Sequence, residues 1–85
     1  MDIRWHEDGI VFETMREAHE WAYNVIYNEI GYLYDGYKTK DEKIASSLIY
    51  ELVRANTLYG PKYNISCDEE CTVKPSIYKV WVTLI

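Results

Sequence analysis

The same helix-start signal occurs twice in this chain, at Thr14-Met15-Arg16-Glu17 and at Thr39-Lys40-Asp41-Glu42. In a Thr-x-x-Glu capping box the hydroxyl takes one free backbone N–H of the first turn, and the glutamate reaches back to another. Each box here precedes an apolar run of helical period. After the first, Met15, Ala18, Ala22, Val25, Ile26 and Leu33 fall on one stripe at roughly 100° per residue, which predicts a helix from Met15 to about Tyr34. Gly36 is suited to end it, and Gly31 to fray its last turn. After the second, Ile44, Ala45, Leu48, Ile49, Leu52, Ala55 and Tyr59 fill one face, and Gly60-Pro61 stops the helix. Two boxed helices joined by a short glycine-containing link predict an antiparallel helical hairpin.

The flanking segments carry strand signals. Ile3-Arg4-Trp5-His6 alternates, Asp8-Gly9 is a turn dipeptide and Ile10-Val11-Phe12 resumes, which reads as an N-terminal β-hairpin. Beyond Pro61, Tyr63 to Cys67 alternates, Asp68-Glu69-Glu70 reads as a polar turn and Cys71-Thr72-Val73 as a return. After Pro75, which marks a strand start or a bulge, Ile77 to Ile85 is the strongest strand signal in the chain. Tyr78, Val80, Val82 and Leu84 line one face of it, and Ile77, Trp81 and Ile85 the other. Apolar residues on both faces call for a central strand or an edge covered by a partner. The fold class expected is α+β: an N-terminal hairpin, a two-helix antiparallel hairpin, then two or three antiparallel strands, with the helices on one face of the sheet.

A chain of 85 residues makes a single domain, 1–85, and buries only about 60–65% of its unfolded surface. The hydrophobic fraction of 48% is that of a globular protein. No apolar run approaches the roughly 18 residues a membrane helix needs, and the first residues lack a signal-peptide pattern. The expectation is a soluble cytoplasmic protein that begins at Met1. The net charge of −5 is uneven: residues 1–35 set two basic residues against eight acidic ones, whereas residues 36–85 hold seven basic and six acidic. Direct binding of nucleic acid needs a basic patch, so it is not expected. A basic partner protein suits the skew, as does a plainly solvated surface.

No segment carries a reaction motif, and neither catalysis nor a cofactor is expected. Cys67 and Cys71, spaced C-x-x-x-C, read as free thiols, as a disulfide across the acidic turn, or as half of a zinc site completed by His6 and His19. Loose spacing disfavours the metal, and a thioredoxin-like motif is absent. His19 has no nucleophile in its segment and reads as a boundary residue. Glu29 falls on the apolar stripe of the first helix, and Asn56 poses the same question on the second. Each needs a partner or an exit to solvent. Asn64-Ile65-Ser66 matches a glycosylation pattern without a secretion signal, and reads as chance.

The aromatic content is the functional clue. Nine Tyr, three Trp and one Phe are more aromatic surface than so small a core can hide. On the first helix Glu17, Glu20, Asn24 and Tyr27 cluster opposite the apolar stripe, with Tyr23 and Tyr34 on one shoulder. Tyrosine offers large area, little rotamer entropy and a polar tip, and neighbouring carboxylates can meet Lys or Arg. These six residues are the candidate partner-binding face, toward a larger protein with a basic surface. The alternative is that Tyr23, Ile30 and Tyr34 simply widen the core side.

The overall profile is similar in type to small phage or mobile-element inhibitors of host enzymes, including anti-CRISPR and anti-restriction proteins. That likeness assigns no residues. It implies an inhibitor that occupies a nucleic-acid-binding surface in the host cytoplasm. A homodimer pairing through Ile77–Ile85 and a small Cys/His metal-binding protein are the alternatives.

Overall fold

Thr14 caps the first helix in the computed structural model, which describes residues 3–71 and 76–85. Its hydroxyl oxygen accepts the Glu17 N–H at 3.2 Å, and its O–H donates to the Glu17 carboxylate at 2.9 Å. The elements, in chain order, are β1 (Trp5–Glu7), α1 (Met15–Asn28), β2 (Gly36–Thr39), α2 (Glu42–Tyr59), β3 (Tyr63–Glu70) and β4 (Ile77–Leu84). The class is α+β. The sheet is mixed, in the order β1-β2-β4-β3, and the helices cover one of its faces.

The connectivity differs from the expected one in two places. Ile10–Phe12 forms no strand, so there is no N-terminal hairpin. Instead β1 pairs in parallel with β2, Trp5 opposite Gly36 and Glu7 opposite Lys38. Parallel neighbours need a crossover, and α1 supplies it. The helices also run parallel, not antiparallel. The Ser47 hydroxyl meets the Met15 sulfur at an offset of 32 residues, and His19–Glu51 and Tyr27–Tyr59 repeat that offset. The link between the helices is itself a strand. β2 carries the chain back along the sheet, so α2 starts at the same end as α1.

β4 lies antiparallel between β2 and β3, which explains why it is apolar on both faces. Val80 and Val82 point into the core with Tyr37. Ile30, Ile44 and Leu48 meet them from the helical layer, each buried aliphatic side chain contributing about 1.5–3 kcal/mol. Asp68–Glu70 do not turn but continue β3. Thr72, Val73 and Pro75 lie outside the described residues.

Two helix ends also shift. α1 stops at Asn28, six residues before Tyr34. Gly31 takes φ +90° there, and the Tyr63 hydroxyl packs where a Cβ would stand. The Gly31 N–H donates to the Tyr34 carbonyl at 2.6 Å, closing a tight loop that buries Ile30 and Tyr34 and leaves Leu33 exposed. For α2 the cap is Asp41 rather than Thr39, because Thr39 is paired to Tyr78 as the last residue of β2. The buried Asp41 carboxylate accepts the Lys43 N–H at 3.0 Å and the Phe12 N–H at 2.9 Å. It thereby ties the loop before α1 to the start of α2. Burial pushes this carboxyl up, but the hydrogen bonds from Phe12 and Lys43 outweigh burial and hold it below the ordinary value.

Candidate functional site

Helical spacing and the burial of Ala18, Ala22, Val25 and Ile26 dictate what α1 shows to solvent. Glu17, Glu20, Tyr23, Asn24 and Tyr27 are all exposed on its outer side. Tyr23 and Tyr27, one turn apart, pack ring against ring with centroids 4.9 Å apart. Tyr59, at the end of α2, meets Tyr27 edge-on at 6.1 Å. The parallel arrangement of the helices brings this third ring to the face. Sequence reasoning placed Tyr59 on the buried side of α2, yet it is 73% exposed. Partial burial of Tyr27, then the neighbouring Tyr59, pushes its pKa above the ordinary tyrosine value.

Tyr34 does not belong to this face. It is 6% exposed, because the chain has left the helix before reaching it. Its ring stacks on His6 at 4.6 Å, and its hydroxyl donates to Glu29 at 3.3 Å. Burial, then the Glu29 carboxylate, raises its pKa. Glu29 is thus a helix C-cap residue with a tyrosine partner. Asn56 is also accounted for: its amide donates to the Tyr63 carbonyl at 2.9 Å and accepts the Lys62 N–H at 3.2 Å, fastening the end of α2 to the start of β3.

The electrostatics of the first segment follow from two internal pairs. Arg4 grips Asp35 with Nε and Nη2, at 3.0 and 2.9 Å. Those hydrogen bonds lower the Asp35 pKa. Arg16 pairs with Glu20 at 3.4 Å, both largely exposed, which is a weak and salt-sensitive contact. Both arginines of residues 1–35 are therefore engaged locally, and Glu13 and Glu17 add charge around the start of α1 that has no ion-pair partner among the described residues. Beside this face lies a polar cluster that the sequence did not reveal. The Glu51 carboxylate is buried between the helices, with His19 Nδ1 at 3.9 Å and Arg54 at 3.8 Å.

The Cys/His metal reading is not supported by the geometry. His6 and Cys67 sit on opposite edge strands, roughly 14 Å apart over three strand spacings. Among the described residues no three His, Cys, Asp or Glu side chains converge. Both cysteines are exposed and unlinked. The strand Asp68–Glu70 separates them rather than folding them together. The Glu69 carboxylate accepts the Cys71 thiol and raises its pKa, which keeps that thiol in its less reactive form. Among the described residues no helix is long and apolar enough to cross a membrane. Comparison with protein-family profiles, with characterised proteins and with solved structures finds no significant match.

Proposed function

We propose that this chain is a non-enzymatic binding module whose α1 face docks on a basic surface of a larger protein. The observation that carries the reading is the face itself. Exposed Glu17 and Glu20 continue along one helix into Asn24, Tyr23 and Tyr27, and Tyr59 extends the aromatic patch. Carboxylates steer a basic partner toward the face, and packed tyrosines supply area that holds it. Nucleic acid is bound through basic surfaces of this kind, so such a surface is the target proposed. The module then acts as an inhibitor by occupation, of the anti-CRISPR or anti-restriction type, in the cytoplasm of a host cell.

The test uses the chain as bait, with the Glu17→Lys/Glu20→Lys/Tyr27→Ala variant as the control bait. A partner captured by the wild-type chain is purified, and its binding to both proteins is measured at low and high salt, with and without DNA or RNA. The reading expects binding that weakens with salt and is displaced by nucleic acid. Salt-independent binding, or full affinity for the variant, removes α1 as the interface.

A further inference from the structure

The outer edge of β3 has the hydrogen-bonding pattern of a self-pairing strand. The Ile85 N–H donates to the Lys62 carbonyl, and the Val82 N–H donates to the Asp35 carbonyl on the other side of β4. With Tyr63 opposite Leu84, alternation along an antiparallel ladder turns the backbone groups of Asn64, Ser66, Asp68 and Glu70 toward β4. Those of Tyr63, Ile65, Cys67 and Glu69 point outward. Asn56 occupies the Tyr63 carbonyl, and the Asp68 side chain accepts the Glu69 N–H at 2.9 Å. Both groups of Ile65, both of Cys67 and the carbonyl of Glu69 face outward with no partner among the described residues. The opposite edge, β1, is only three residues long.

We infer that this edge is the seam of a homodimer, with β3 pairing antiparallel to β3 of a second copy about a two-fold axis at Cys67. In that register Cys67 faces Cys67 and Ile65 faces Glu69 of the other copy, so both groups of Cys67 meet their counterparts and the Ile65 N–H meets the Glu69 carbonyl, whereas the Ile65 carbonyl gains a donor only where the Glu69 N–H leaves the Asp68 side chain. Asp68, Glu69 and Glu70 fall opposite Ser66, Ile65 and Asn64, so no acid opposes an acid. Moving the axis one residue to Asp68 puts two aspartates face to face, which is unfavourable.

The helical layer fits the same seam. α2 packs over β4 and β3, and its flank toward that edge carries Ser46 and Ile49, which line a groove with Cys67. Val53, one turn along, is 50% exposed. A two-fold perpendicular to the sheet keeps both α2 helices on the same side, at a spacing of roughly 10–14 Å set by strand separations. Helices with side chains are about 10–12 Å across, so Ile49 and Val53 of the two copies close over the seam. α1 lies on the far side of α2, and both copies keep its acidic face free.

Sedimentation equilibrium of the full chain tests this directly. The mass is expected to be that of two chains at high micromolar concentration, with association tightening as salt rises, because each copy carries −5. Cys67→Pro removes an outward N–H and leaves the ladder to β4 intact, and Val53→Glu puts a charge on the helical flank. Each is expected to give a monomer with unchanged circular dichroism, and the second stands if the first does not fold. Mild oxidation is expected to link two copies through a Cys67–Cys67 disulfide in a Cys71→Ser chain, since directly opposed residues of a hydrogen-bonded antiparallel pair stand about 5.5 Å apart at Cα. A monomeric wild type overturns the inference. So does a dimer that survives Val53→Glu and is not linked through Cys67.

Discussion

Asp41→Ala is expected to remove two backbone anchors at once. The carboxylate caps α2 through the Lys43 N–H and also holds the Phe12 N–H, and the residue is 5% exposed. Loss of an N-cap costs about 1 kcal/mol. The Phe12 N–H, left without its partner in a half-buried loop, adds about 1–3 kcal/mol. The Lys43 ion pair at 3.1 Å is partly exposed and adds little. The total is about 2–4 kcal/mol, which for a domain of this size lowers Tm by roughly 10–30 °C. Asp41→Asn keeps a capping oxygen but removes the charge that strengthens its hydrogen bonds, a loss of about 1 kcal/mol. The pH dependence follows from the lowered carboxyl pKa. The advantage of Asp over Asn is complete above about pH 4, the unfolded value, and fades as pH falls through the lower folded value. Urea melts of the three proteins between acid and neutral pH measure all of this. An Asp41→Ala protein within about 0.5 kcal/mol of wild type, the range of an ordinary surface change, refutes the double anchoring role.

Two smaller tests address the ends of α1. Thr14→Ala is expected to cost about 1 kcal/mol in a denaturant melt, and no loss places the helix start elsewhere. Gly31→Ala and Gly60→Ala share a positive φ near +90°, but only the first puts a Cβ against Tyr63. Gly60→Ala is expected to lose about 1–2 kcal/mol and Gly31→Ala about 1–3 kcal/mol more, and equal losses dismiss the Tyr63 contact.

What was legible in the sequence was local. The Thr14 cap, the stripe of α1 from Ala18 to Ile26 and the end of α2 at Gly60 each rest on residues within a turn or two. The two-sided pattern of Ile77–Ile85 called for a central strand or a covered edge, and β4 is central. What was not legible depends on distant partners. Gly36–Thr39 is four residues long and becomes a strand only because β1 and β4 pair on either side of it. That strand is also what turns the helices parallel, so a misread link carried the hairpin with it. α1 stops just ahead of Gly31, which the sequence marks only as a place where the last turn frays, and the Tyr63 hydroxyl that packs on that glycine lies 32 residues beyond it. Extending the helical wheel past that stop placed Tyr34 on the candidate face. The same geometry contributed Tyr59, whose partner Tyr27 is on the other helix. Glu17, Glu20, Tyr23, Asn24 and Tyr27 needed only helical periodicity, and their shared exposure followed.

The central claim, that the outer face of α1 is the binding surface, is tested most directly by association and dissociation rates measured for the purified partner. Wild type, Glu17→Lys/Glu20→Lys and Tyr27→Ala are compared at two ionic strengths. The account predicts that charge reversal slows association by about tenfold or more and flattens its salt dependence, in the range that electrostatic steering supplies. It predicts that Tyr27→Ala speeds dissociation instead, by about fivefold or more, as loss of an anchor costing above 1 kcal/mol does. Rates for both variants equal to those of wild type contradict it.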